Sequence, residues 1–157
     1  MKNYCIFANF EKLYKMKVYI ASDHAGYEMK EAIKKHFSTE FEWEDFGTDS
    51  PESVDYPDFA HPLAEAAANS QEACAVLLCG TGNGVAMTAN KHAGVRAALC
   101  WNTEIATLAR QHNNANVVVL PARFITTEDA FIIVKTFFNT PFEGGRHARR
   151  VEKINIQ

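Results

Sequence analysis

Three glycines at alternate positions, Gly80, Gly82 and Gly84, follow an apolar run and stand directly behind Cys79. Glycine permits positive φ and lets backbone approach a ligand, and a helix opening after such a loop offers unpaired amides. Cys79-Gly80-Thr81-Gly82-Asn83-Gly84 is therefore built to receive an anion or a developing oxyanion, with a thiol at its start. The positive end of the following helix favours a thiolate there, which would serve as base or nucleophile. Two nucleotide loops are excluded. Val85 replaces the last glycine of a dinucleotide fingerprint, and the Gly-Lys-Ser/Thr of a Walker loop is missing. Val85 also stands where a phosphatase loop needs an arginine, so Cys79 fits a base better than a phosphate-attacking nucleophile.

Further reactive types recur along the chain. Asp23 and His24 end the first strand-like run, where an acid and an imidazole could hold sugar hydroxyls or act as a simple helix cap. His112, in Arg110-Gln111-His112-Asn113-Asn114, brings an imidazole, the side-chain type suited to proton shuttling, though a histidine closing a helix also complements its dipole. Arg146 and Arg150, four apart around His147, would share a helix face and grip phosphate, and Arg123 at another strand end could join them. In isolation that tail also reads as a solvated basic end. No HExxH pattern and no Cys/His zinc spacing occurs, so no metal is expected.

These groups need a scaffold, and the chain from Met16 alternates short β-branched runs with helical patterns. Strands are expected over 18–22, 41–46, 73–79, 95–100 and 116–120. Helices are expected over 27–37, 57–69, 85–92, 103–111 and 127–139, with a short last one over 147–154. Ala75–Leu78 and Val117–Leu120 are almost wholly apolar, as in a sheet covered on both faces. The pattern predicts an α/β fold with a doubly wound parallel sheet, whose ligands sit beyond the carboxyl ends of its strands.

With 157 residues, 47% hydrophobic and 22% charged, the chain has the size of one domain with a substantial core. A net charge of −3 without a basic stripe speaks against nucleic acid and anionic membrane surfaces as partners. Four cysteines without a Cys-x-x-Cys pair suit a reducing cytoplasm. Residues 1–15 lack a secretory signal's apolar centre and cleavage site. They are expected to be an appended or poorly ordered leader ahead of a single domain over 16–157.

Taken together, SDHAG, DYPDFAHPLA, CGTGNG, ANKHAGVRAA, RQHNNANV and FEGGRHARRVEKI, in that order from about Met16 to Ile154, resemble type B ribose-5-phosphate isomerase. The wider family also holds galactose-6-phosphate and allose-6-phosphate isomerases. The resemblance implies a Rossmann-like three-layer sandwich with a five-stranded parallel sheet. It further implies a homodimer, or two such dimers paired into a tetramer, with active sites shared across the dimer interface, and no metal or organic cofactor. The reaction implied is interconversion of ribose 5-phosphate and ribulose 5-phosphate through an enediolate.

Residue by residue, Cys79 matches the base that moves a proton between C2 and C1. Thr81 and His112 match groups that assist ring opening, and Asp23 and His24 would lie near the ring oxygen and hydroxyls. The amides of Gly80, Gly82, Asn83 and Gly84 match the anion hole, and Tyr56 and Asn113 match substrate contacts. Arg123, Arg146 and Arg150 match phosphate ligands, with His147 beside them. The uncharged Asn83 and Val85 place the chain with the Cys-dependent subtype. A hexose-phosphate isomerase and a non-catalytic sugar-phosphate sensor are the alternatives.

Overall fold

A computed structural model describes residues 15–154; the expected leader over 1–15 lies, apart from Lys15, outside the described residues. Five strands form one parallel sheet: β1 (Met16–Ser22), β2 (Phe41–Asp45), β3 (Ala75–Cys79), β4 (Ala97–Leu99) and β5 (Val117–Pro121). Their order across the sheet is β2-β1-β3-β5-β4. The helices between and after them are α1 (Tyr27–His36), α2 (Pro57–Ala67), α3 (Asn83–Ala89), α4 (Thr103–Asn113) and α5 (Thr127–Asn139). A 3-10 turn over Gly145–His147 then leads into α6 (Ala148–Glu152).

Side-chain alternation along the strands divides the core into two layers. Val18, Ile20, Val76, Leu78, Val118 and Leu120 face Ile33 of α1 and Ile133 and Phe137 of α5. Ala21, Ala75, Leu77, Cys79, Val117 and Val119 face Leu63 of α2 and Val85 of α3. This is the expected three-layer α/β sandwich. From β1 the chain crosses to β2 on one side, whereas from β3 it departs toward β4 on the other. The ends of β1 and β3 therefore flank a switch point, where open sheets of this kind leave a crevice.

Element ends move for local reasons. The expected strand over 95–100 contracts to Ala97–Leu99 because the Arg96 amide donates to Asn116 Oδ1 at 2.8 Å instead of extending the ladder. On the open side of β4, Asn90 pairs its amide side chain with Ala97, accepting from the N–H and donating to the carbonyl, both at 2.9 Å. Such a side-chain pairing blunts an edge strand. Helix α3 opens at Asn83 rather than Val85, since Gly82 at φ +77° turns the chain tightly enough to start it. A side chain at Gly82 would also run into Leu99. Helix α4 reaches Asn113 and stops where Asn114 adopts φ +46°. Helix α5 spans the expected Thr127–Asn139, opened by a capping box between Thr126 and Asp129.

Candidate active site

The end of β3 carries the thiol into the switch-point crevice. Cys79 is 6% exposed, and the Gly82 N–H donates to its Sγ at 3.2 Å. An amide donating to sulfur stabilises negative charge there. The Ala122 and Arg123 amides donate to the carbonyls of Cys79 and Gly80 at 2.9 and 3.0 Å, tying the end of β5 to the glycine loop. The Arg123 side chain crosses Gly80 closely enough that a Cβ at 80 would sit 3.3 Å from its Cδ. Tyr56, just ahead of α2, lays its ring over Gly84, where a Cβ would meet ring carbon Cζ at 2.7 Å. Two glycines thus make room for the two side chains that wall the loop.

Asp23 and His24 arrive from β1. The Asp23 amide donates to Leu78 O at 3.2 Å, and its carboxylate accepts from the Gly26 N–H at 3.1 Å. Asp23 therefore closes the turn ahead of α1, whose N-cap is Gly26 without a side-chain cap, and it is a buried acid beside the end of β3. His24 Nδ1 accepts from the Val54 N–H at 3.3 Å, which fixes the ring as the Nε2–H tautomer. Thr81 and Asn83 are exposed on the loop's outer surface. With Leu99, Trp101, Pro121 and Phe124 they line a cavity of about 270 Å³. The surrounding surface is unusually apolar for a rim: Met87, Trp101 and Phe124 are 65%, 53% and 72% exposed.

The remaining expected site residues lie elsewhere. Helix α4 starts at the rim and runs back to the opposite edge of the sheet. There Asn114 O accepts from Arg96 Nε at 2.7 Å, and Asn116 O accepts from the Cys74 N–H at 2.9 Å, all ahead of their strands. His112 and Asn113 are thus separated from Cys79 by roughly 15 Å, the length of five-residue β3. The 3-10 turn joins them at that edge, after Gly144 and Gly145 reverse the chain at φ +67° and +54°. His147 stacks on His112 with ring centroids 4.2 Å apart and planes 5° from parallel. Arg146 and Arg150 project beside them, exposed. The structure therefore groups Cys79, the glycine loop, Asp23, His24, Tyr56 and Arg123 at one end. It groups His112, Asn113, Arg146, His147 and Arg150 at the other, so Arg123 does not join the other two arginines within one chain.

Two residues at the second end were not singled out from the sequence. Glu143 places Oε2 at 3.9 Å from His112 Nε2 and 3.7 Å from His147 Nε2. Arg110, 1% exposed, donates to Ala115 O, to Asn114 Oδ1 at 3.1 Å and to Thr140 O at 3.2 Å, fastening the end of α4 to the strand-like connection after α5. An arginine at that point in a helical pattern reads as surface, and only its neighbours in space reveal otherwise. Burial and the charges of His112, Arg146 and Arg150 push the His147 pKa down, with Glu143 opposing, so its ring stays neutral at neutral pH. His112, Glu143 and His147 also bring three ligand-type atoms within 4.8 Å. The lone pairs of two near-parallel stacked rings lie in separate planes, however, and do not converge on one ion at bonding distance. Burial drives the thiols of Cys74 and Cys100 up, the latter to about 12, which makes them inert core residues.

The sequence model of the ribose/galactose isomerase family matches residues 18–154. A probable ribose-5-phosphate isomerase B of Mycoplasma genitalium is 46% identical over 140 residues, covering 87% of this chain and 92% of its own. A crystal structure of a ribose 5-phosphate isomerase from Thermotoga maritima is 51% identical, with a TM-score of 0.85 over 90% of this chain and 98% of that one. The Mycoplasma genitalium ribose-5-phosphate isomerase B with bound ribulose 5-phosphate is 44% identical, with a TM-score of 0.84 over 88% and 93%.

Proposed function

The chain belongs to the ribose/galactose isomerase family, and from that we propose that it interconverts ribose 5-phosphate and ribulose 5-phosphate as an aldose–ketose isomerase. The observation that carries the reading is the buried Cys79, its sulfur hydrogen-bonded by the amide of Gly82 at the mouth of the switch-point crevice.

In this reading one proton leaves the anomeric hydroxyl, the bond from C1 to the ring oxygen breaks, and a proton is delivered to that oxygen. This exchange is assigned to His112 and Thr81, with Asp23 and His24 holding the hydroxyls. The fixed Nε2–H of His24 can only donate while the ring is neutral, which suits a ring or hydroxyl oxygen. The Cys79 thiolate then removes the proton from C2 of the open aldose. Electrons move onto O1 and the amides of Gly80 to Gly84 receive the enediolate charge; the O2 hydroxyl proton passes to O1, and the proton held on Cys79 returns at C1 as the C2 carbonyl forms. Tyr56, Asn83 and Asn113 contact substrate. Electrons stay within the substrate throughout, so the chemistry demands no redox cofactor. The phosphate is assigned to Arg123, Arg146 and Arg150 with neutral His147, giving remote binding energy that holds C1 and C2 in place.

Both halves of this machinery meet only if a second copy docks. A twofold axis sets the rim of one protomer against the opposite end of its partner, and does so twice. The apolar collar of Met87, Trp101 and Phe124 around the rim supports a homodimer with shared sites. We also place the enzyme in the cytoplasm, acting as one domain over residues 16–157. Among the described residues no helix is long and apolar enough to cross a membrane. A coupled assay of ribose 5-phosphate isomerisation tests the activity. A higher kcat/KM for allose 6-phosphate than for ribose 5-phosphate would move the substrate to hexoses.

A further inference from the structure

We infer that Glu143 is a positioning residue that selects the reactive nitrogen of His112. This deepens the isomerase reading and rests on it. Three groups converge on the stacked imidazoles: Glu143 from the segment after α5, Arg146 from the 3-10 turn and Arg150 from α6. They act differently on the two rings. Arg146 Nε–H points at His147 Nε2 at 3.5 Å, so that nitrogen is an acceptor and His147 carries its proton on Nδ1. The Glu143 carboxylate faces the same His147 nitrogen and finds no proton there. The remaining donor within reach is His112 Nε2–H, 3.9 Å away.

That gap closes with a small side-chain rotation, because the Glu143 side chain is half exposed and has no other polar side-chain partner among the described residues. Its backbone is already anchored, the Glu143 N–H donating to Gln111 O at 3.1 Å next to His112. A carboxylate that holds one imidazole N–H leaves the other nitrogen unprotonated and aimed at substrate. His112 would therefore take the anomeric hydroxyl proton on Nδ1. The stack with His147 keeps the ring plane in place while Glu143 sets which edge bears hydrogen.

The test combines histidine 15N NMR with kinetics on the full chain, comparing wild type with Glu143→Ala and Glu143→Asp. Wild type should show His112 as the Nε2–H tautomer. Glu143→Ala should give mixed tautomers and lower kcat by about ten-fold or more while KM stays within about two-fold. Glu143→Asp should recover part of both. An unchanged tautomer and kcat in Glu143→Ala would overturn the assignment. So would a change in KM alone, which would make Glu143 a binding residue. A wild type that leaves ribose 5-phosphate untouched overturns the isomerase reading instead, and the tautomer then judges the Glu143–His112 pairing by itself.

Discussion

The two ends of the sheet solve the problem of placing reactive groups in opposite ways. At the carboxyl end the site is made largely of backbone: a glycine loop, a sulfur accepting from an amide, and two strand ends fastened by main-chain hydrogen bonds. Its thiol and acid are almost fully buried in a single chain. At the amino end the site is made of side chains on the last turn of α4 and a short reversal, and most of them stand in solvent. Stacked rings and one carboxylate hold them rather than a ladder of amides. On the proposed reading, the first end is finished by folding and the second by association. Charge stabilisation needs rigid dipoles, whereas phosphate capture tolerates long, mobile arginines that order when substrate arrives.

Breaking the rim should have the largest effect. Cys79→Ala is expected to lower kcat by about a hundred- to ten-thousand-fold, the range for loss of a general base, with circular dichroism unchanged. Turnover near the wild-type rate would remove Cys79 from the mechanism.

Because the rim is part of the fold, its supports should register in stability. Asp45 Oδ2 lies 2.6 Å from the ammonium groups of both Lys30, which is fully buried, and Lys34, while its other oxygen accepts from the Gly47 N–H. Gly47 O in turn accepts from the amide of Ser22, next to Asp23. Burial pushes the Asp45 pKa up, but the lysines and the Gly47 amide outweigh it and hold it below its ordinary value. A carboxyl depressed on folding contributes stability that is full above its unfolded pKa and fades as pH falls through the folded one. Stability should therefore decline below about pH 4. Asp45→Asn should destabilise by about 3 kcal/mol at pH 7 and flatten part of that decline, as seen by denaturant titration at several pH values.

The opposite end should behave in the contrary manner. Arg146→Ala and Arg150→Ala are each expected to raise KM about ten-fold with Tm unchanged, since on the proposed reading each removes one exposed phosphate contact. A fall in Tm without a change in KM would reassign them to structure.

The smallest effect is the sharpest test of how the two ends meet. Cys79→Ala and His112→Ala are each nearly inactive, yet mixing them after denaturation and refolding should restore about a quarter of wild-type activity. Half the dimers would then be mixed, each with one intact site out of two. No recovery would mean that each chain works alone.

Much of this was legible in the residues. Near-continuous apolar runs mark the buried strands β3 and β5, and Thr126 with Asp129 marks the start of α5. The glycine spacing behind Cys79 marks the loop, because its chemistry is local: φ, amides and one thiol within six residues. Contact order decided the rest. Nothing in the run of residues says that β5 inserts between β3 and β4, that Arg110 is buried, or that α4 carries His112 away from Cys79. Nor does it say that Glu143, thirty-one positions after His112, faces its ring. Periodicity and propensity act over a turn or a strand, so sequence alone determined the elements, the family and the reactive loop. Helix direction and sheet order act over the whole chain, so only the tertiary structure decided which reactive groups share an end.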